Sequence, residues 1–137
     1  MLTPRSGTPT DDELIAHIRQ WLDLLADGRV ADACSMLDEA NVYGQAWSPA
    51  AIFELVNDTF RPGTRFRAEH PSGPSFSHVL TAVGDGRPSV VALADNSGYS
   101  VEHDVPLNGA YSDLTAQFEF RWRDDALAFV LHDLHVL

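Results

Sequence analysis

Three side chains in the C-terminal part of the chain have the types needed for acid–base chemistry. Asp133 and His135 lie two residues apart in one run of strand-forming residues, and His103 lies in an earlier run. A carboxylate beside an imidazole in an apolar cavity has a perturbed pKa and can transfer a proton. We therefore take Asp133, His135 and His103 as candidate catalytic residues. The alternative is that they only hydrogen-bond to neighbouring backbone atoms, as buried polar groups must.

The direction of His103 follows from an Asn-Gly dipeptide at 108–109. This dipeptide favours a type I′ turn, which needs positive φ at both central residues, and it predicts a β-hairpin. Alternate residues of the two strands then share one apolar face, which His103 interrupts. The expected pairs are Leu107 with Ala110, Val105 with Ser112, His103 with Leu114, Val101 with Ala116 and Tyr99 with Phe118.

The direction of Asp133 and His135 depends on the loop before the last strand, which spans 126–137. A two-residue loop at Asp124-Asp125 puts Trp122 opposite Leu127 and directs Asp133 and His135 inward. A three-residue loop at 123–125 directs the alternate set inward instead, His132 included. We favour the two-residue loop, because it packs the larger side chains of the last strand against the aromatic residues of the preceding one.

The elements before the hairpin read as helices. Thr10 and Glu13 form a capping box that predicts a helix from Asp11 to about Asp27, ended by Gly28. A second helix is expected from about Val30 to Glu39, and Ser48-Pro49 begins a third. Residues 1–9 are expected to be a disordered N-terminal tail, and residues 10–137 a single domain.

The middle of the chain is less regular. Residues 61–75 form a long connection rich in proline and glycine, with a short strand near Thr64 to Ala68. Strands are expected from Phe76 to Val83 and from Ser89 to Asp95. The pattern predicts an α+β fold in which three N-terminal helices pack on a curled antiparallel sheet of four to five strands. A hollow between such a sheet and its helices is a natural place for a cavity.

Aromatic and aliphatic side chains from both layers are expected to line this cavity and to contact a ligand. If large aromatic side chains fill the space instead, a binding or structural role is favoured over catalysis. The predicted ligand-binding residues are Trp21, Tyr43, Trp47, Tyr99, Leu114, Phe118 and Phe120.

Composition excludes several classes of partner. Nine basic and twenty acidic residues give a net charge of −11, which repels nucleic-acid phosphates and anionic membranes. A single cysteine, Cys34, cannot form an internal disulfide, so we expect a cytoplasmic protein. The chain contains no nucleotide-binding or hydrolase motif, and we expect no cofactor. His132 and His135 would lie on opposite faces of a regular strand, so no metal site is predicted.

The order of elements resembles that of the nuclear transport factor 2-like (NTF2-like) superfamily, also called SnoaL-like or cystatin-like. Residues 106–116 and 131–137 also resemble a group of bacterial domains of this superfamily, a likeness that implies no activity. The resemblance implies a cone-shaped sheet. Members include isomerases, hydrolases, cyclases and dehydratases as well as binding and dimerisation modules, so the fold does not select a function.

These observations lead to two functional hypotheses. The first is binding of a small, mostly apolar molecule or of a protein partner, without chemistry. The second is an acid–base enzyme, such as an isomerase, cyclase or hydratase, that uses Asp133 with His135 and His103. The family resemblance adds a homodimer through the outer sheet face, where Ala128 and Val130 are expected to point outward.

Overall fold

Two helix starts follow directly from local sequence. Thr10 Oγ1 accepts a hydrogen bond from the backbone N–H of Glu13, and the Glu13 carboxylate accepts one from the backbone N–H of Thr10, both at 3.2 Å. Ser48 Oγ accepts from the N–H of Ala51, with Pro49 in the first turn. These contacts satisfy backbone donors that a helix start leaves without partners. Both predicted starts are confirmed.

The computed structural model describes residues 1–136 and has an α+β fold, which confirms the predicted class. Among these residues it contains four helices rather than three, and an open antiparallel sheet with the strand order β1-β2-β3-β4. The elements are α1 (Asp11–Ala26), α2 (Val30–Met36), α3 (Pro49–Thr59), α4 (Arg65–Glu69), β1 (Ser89–Ala92), β2 (Gly98–Leu107), β3 (Ala110–Arg123) and β4 (Ala126–Val136).

Residues 61–92 differ most from the prediction. The expected strand at 64–68 is the short helix α4, because Thr64 Oγ1 caps it by accepting from Arg67 N. The expected strand at 76–83 is reduced to isolated bridges at its two ends, Phe76 with Leu107 and Val83 with Ala110. The expected strand at 89–95 ends at Ala92.

The predicted turn at Asn108-Gly109 is present, with φ of 53° and 87°. Leu107 pairs with Ala110 as expected, but a bulge between Asp104 and Pro106 then displaces the register by two residues, so that His103 pairs with Ala116 rather than Leu114. A displacement of two keeps each side chain on its face, since side chains alternate with period two. The pairs are therefore wrong beyond the bulge, while the inward direction of His103 is confirmed.

The loop before β4 has the favoured two residues, and Trp122 pairs with Leu127, Phe120 with Phe129 and Phe118 with Leu131. A second bulge follows, because the next pair is Gln117 with Asp133 and His132 is the extra residue on β4. One extra residue reverses the alternation of every side chain after it. The first half of the predicted β4 register is thus confirmed and the second half is wrong.

Aromatic packing between α1 and the sheet fills the centre of the fold. Phe118 and Phe129 stack with ring centroids 4.8 Å apart, and Trp21 meets Phe118 edge to face at 5.2 Å. Trp21 Nε1 donates to the backbone oxygen of Ala33 at 3.0 Å, so its polar atom is satisfied. These rings and Phe120 are fully buried. The space expected to be hollow is therefore filled.

The outer edge of β4 is covered by other parts of the chain. Leu2 exchanges two backbone hydrogen bonds with Leu127, and Asp38 binds both the N–H and the carbonyl oxygen of Phe129. Further along, Trp47 Nε1 donates to the carbonyl oxygen of Leu131. Residues 1–9 therefore contact the domain, and the disorder expected for them stays a prediction.

Within residues 1–136 no helix combines the length and apolar character of a membrane span.

Gly98 is expected to tolerate no side chain. It begins β2 with φ of +150°, and a Cβ at this position would overlap the carbonyl oxygen of Phe120. Gly44 also has positive φ, at +74°, but a Cβ there meets nothing within 4 Å. We expect Gly44→Ala to cost about 1 kcal/mol of unfolding free energy, from backbone strain alone, and Gly98→Ala about 3 kcal/mol or more, because the strand pair must also shift. Urea unfolding measures both, and equal losses would contradict the overlap.

Candidate functional site

His103 is enclosed by neighbours that use both of its ring nitrogens. None of its surface is exposed. Its Nδ1 lies 2.7 Å from the backbone oxygen of Asp104, and Arg19 Nε donates to its Nε2 at 3.2 Å. Because a carbonyl oxygen only accepts and a guanidinium only donates, Nδ1 carries the proton and Nε2 is the acceptor. In this arrangement His103 has no nitrogen free for a substrate.

The surroundings of His103 favour the neutral ring. Burial lowers the pKa of His103, the hydrogen bond to the Asp104 carbonyl raises it, and the Arg19 guanidinium lowers it. The net direction is downward from the ordinary value of 6.5. The same reasoning applies to His17 on α1, whose pKa burial also lowers.

Asp133 and His135 lie on the other face of the sheet. Their partners on β3 are Gln117 and Thr115, which alternate with the buried residue Ala116. Residues paired across antiparallel strands share a face, so Asp133 and His135 point away from the aromatic core. The predicted convergence with His103 is therefore wrong, because the extra residue at His132 reverses the direction of the end of β4.

These two side chains still lie near each other on the outer face. His135 Nδ1 is 3.2 Å from a carboxylate oxygen of Asp133, without the alignment of a hydrogen bond. Asp133 also accepts from the backbone N–H of Leu134 at 2.8 Å. Both are partly exposed, with side-chain accessibilities of 48% for Asp133 and 29% for His135, so neither is held in a water-poor cavity.

The outer face carries a buried carboxylate that the candidate set did not include. Asp104 is 5% exposed, and it accepts from Arg87 Nε at 2.6 Å and from Thr115 Oγ1 at 3.1 Å. A buried carboxylate with charged and neutral donors is well satisfied. Arg87 lies in a segment that reads from sequence only as a turn, so no local signal indicated this pairing.

Four of the seven predicted ligand-binding residues are core residues. All four are fully buried and pack against other side chains of the core: Trp21, Leu114, Phe118 and Phe120. Large buried side chains without an adjoining void stabilise the fold by excluding water. Their position indicates a structural role, and contact with a ligand stays a prediction for them.

The other three predicted ligand-binding residues lie nearer the surface. Tyr43 is 79% exposed, Trp47 lies along the edge of β4, and the ring of Tyr99 contacts that of Trp122 at 6.5 Å. None of the seven residues lines either of the two clefts described next.

The first cleft, which we call the apolar cleft, has a volume of about 250 Å³. It lies where the end of α1, the start of α2 and the middle of α3 meet the segment 74–76 and the end of β2. Asn57 and Ser75 supply its polar side chains, and the rest of the lining is apolar or glycine. The lining residues are Leu25, Ala26, Gly28, Val30, Phe53, Val56, Asn57, Pro74, Ser75, Phe76 and Leu107.

Two phenylalanines are the most prominent members of this lining. Phe53 and Phe76 approach each other with ring centroids 6.2 Å apart, and Phe53 is 44% exposed. Phe53 lies off the buried stripe of α3 that includes Ile52 and Val56. This exposed apolar residue is a local sequence feature of the cleft, but it does not indicate which distant segments complete the lining.

The second cleft, which we call the hairpin cleft, has a volume of about 370 Å³ and lies between α4 and the β2–β3 turn. Phe60, Phe66 and His70 form a run of contacting rings in its lining, with centroids 4.4 and 4.6 Å apart. Arg65, Glu69 and Asp113 add charges of both signs. Leu107 lies between the two clefts, since it lines both.

No metal centre is visible in the part of the chain that the structure describes, because residues 1–136 bring no three histidine, cysteine or carboxylate side chains together in a suitable group.

Comparisons with protein-family models, curated proteins and solved structures found no match for this chain. The geometry of the clefts and of the buried polar groups is therefore the basis for a functional proposal.

Asp104 and Asp133 lie on the same outer face of the sheet but differ in burial, and matched aspartate variants test this difference. Asp104→Asn removes the buried charge that binds the exposed Arg87 side chain, and we expect it to lower the unfolding free energy by about 1–3 kcal/mol. Asp133→Asn changes a half-exposed side chain, and we expect a change within about 0.5 kcal/mol. Urea unfolding at pH 7.5 measures both. If Asp133→Asn were the more damaging variant, the description of Asp104 as the buried, paired carboxylate and of Asp133 as the exposed one would be wrong.

Proposed function

We propose that the protein binds a small, mostly apolar molecule in the apolar cleft. The observation that supports this most directly is the lining of the cleft, in which apolar side chains from three helices surround the end of β2. Apolar concave sites with a few polar groups are typical of small-molecule binding. The exposed ring of Phe53 at this cleft supports the same function, because covering a large exposed apolar side chain with a ligand removes it from water and favours binding.

The volume of the cleft limits the size of the ligand. A cavity of about 150 Å³ in a protein core holds one benzene molecule. About 250 Å³ therefore suits a ligand of one or two rings, or an alkyl chain of similar size. Asn57 and Ser75 could orient a single hydroxyl or carbonyl group of such a ligand.

We also propose that the chain is an NTF2-like domain of the cytoplasm. Helices packed on one antiparallel sheet, with a cleft where the two layers separate, support the family assignment. The single cysteine supports the location, since the fold does not depend on a disulfide.

The acid–base alternative has less support. Its three candidate residues lie on two faces of the sheet, and both nitrogens of His103 are engaged within the chain. The homodimer stays a prediction. Ala128 and Val130, on which it depended, are already buried within the single chain.

The binding proposal can be tested with 2-naphthol, a two-ring apolar probe with one hydroxyl group. Titration of the ¹⁵N-labelled protein should shift the amide signals of residues around the apolar cleft, such as Gly28 and Phe76, in a saturable way. The signals of Tyr43 and of β4 should stay in place, because they lie away from this cleft. A titration without saturable shifts at the cleft would overturn the proposal.

Variants that fill the cleft locate the binding site. Ala26 lines the cleft and is half-buried, whereas Ala50 on α3 is exposed and lies outside it. We expect Ala26→Phe to weaken 2-naphthol binding at least about tenfold, because its ring occupies the ligand space, and Ala50→Phe to leave it unchanged. Ser75→Phe fills the cleft from the opposite side and should act like Ala26→Phe. If both filled variants bind the probe as the wild type does, the ligand lies elsewhere.

A further inference from the structure

Residues 83–88, which we call loop 83–88, are fastened across the end of the β2–β3 hairpin. Val83 donates to the carbonyl oxygen of Gly109 at 2.9 Å and accepts from Tyr111 N at 3.0 Å. The Gly86 carbonyl oxygen accepts from Asp104 N at 2.8 Å. These backbone hydrogen bonds and the Arg87–Asp104 ion pair hold the loop to the sheet, and Val83 at its start is exposed. Such a segment can open without unfolding the domain.

Loop 83–88 also covers the His103 ring. Gly86 is buried, and a Cβ on it would overlap the imidazole. The ring is therefore in van der Waals contact with the loop backbone on one side and hydrogen-bonded to Arg19 of α1 on another. None of the ring is exposed while the loop is in place, and movement of the loop would open a path for water to His103.

A proton cannot be added to His103 in this arrangement without breaking a contact. Nε2 carries the lone pair that would accept the proton in the neutral ring, and this lone pair already accepts a hydrogen bond from Arg19. Protonation would put an N–H opposite the guanidinium and two positive charges next to each other, away from water. Movement of loop 83–88 would relieve this by letting water solvate the imidazolium.

The charged and titratable groups around His103 come from every element packed on it. Arg19 of α1 disfavours the proton, whereas Asp104 of β2 and Asp85 of the loop favour it. Tyr111 of β3 has its ring 5.9 Å from that of His103, and Asp23 of α1 acts on Tyr111. The Asp104 carboxylate is already bound to Arg87 and Thr115, so it is not free to pair with a protonated ring.

We propose that loop 83–88 is an acid-released latch: it stays docked while His103 is neutral, and proton uptake by His103 releases it from the sheet. The proposal is independent of ligand binding in the apolar cleft, which loop 83–88 does not line.

The expected direction of the pH effect follows from linkage. In the docked state the pKa of His103 lies below its ordinary value of 6.5, and in the released state the ring is solvated and returns toward that value. Docking is therefore strongest above pH 6.5 and weakens as the pH falls. One proton per event gives up to about a tenfold rise in the released-to-docked ratio for each pH unit, until the docked form is itself protonated.

Two measurements on the wild-type protein test this. The ¹⁵N shifts of the histidine rings give the tautomer and the titration of His103, and we expect Nδ1 to carry the proton at pH 7.5. Hydrogen exchange, corrected for the intrinsic effect of pH, gives the protection of the Asp104 and Tyr111 amides, which donate to the loop. We expect this protection to fall as His103 gains its proton, while the amides that join β3 to β4 stay protected.

Any of three results would overturn the latch: loss of loop protection without protonation of His103, protonation with the loop still docked, or simultaneous loss of protection in β3 and β4.

His103→Gln should remove the pH dependence of loop protection, whether the loop is docked or released in that variant. His17→Gln is the matched control, because His17 also has a lowered pKa but contacts Phe120 and Phe129. A pH dependence that persists in His103→Gln, or disappears in His17→Gln, would assign the release to another group.

Discussion

Packing of α1 against the aromatic side chains of β3 and β4 is the interaction on which the rest of the structure depends. Trp21, Phe118 and Phe129 interlock at ring separations of about 5 Å, and Phe120 extends the same layer. Aromatic side chains of this size contribute the largest buried areas in a small domain. Because this layer fills the centre of the fold, the two clefts described above lie at its margin, where helix ends and loops meet the end of the hairpin. The apolar cleft and the hairpin cleft both lie there, on either side of Leu107.

Two bulges decide which polar groups meet. The bulge opposite Val105, where β3 has two more residues than β2, displaces pairing by two and leaves His103 facing the helices, whereas the extra residue in β4 reverses the direction of Asp133 and His135. The His103 ring is buried under Gly86, and the bulge in β4 gives the outer face a carboxylate and an imidazole side by side. Without the extra residue in β4, Asp133 and His135 would face the same side as His103 and could share a substrate with it. With that residue present, they lie on the opposite face and have different neighbours.

The parts of the fold that sequence predicted are those that local chemistry determines. Thr10 with Glu13, Ser48 with Pro49, and Asn108 with Gly109 each define a helix start or a turn within four residues, and each is present in the structure. The α+β class followed from them. The helix at Arg65–Glu69 has a local cap in Thr64, but five residues are too few for a helical periodicity to show. The bulges and the partners of Asp104 depend on residues far away in the chain, and no short pattern encodes them. The apolar cleft was missed for the same reason, since its lining comes from five separate segments.

The covered edge of β4 has a consequence for how this domain can meet other chains. An open strand edge invites a further strand, and with it uncontrolled polymerisation. Here Leu2, Asp38 and Trp47 occupy the backbone groups that such a strand would use. The opposite edge, β1, is only four residues long and offers little length for pairing. A shortened protein that began after position 9 would lose Leu2 and uncover the backbone groups of Leu127, which would leave this part of the edge open to a further strand.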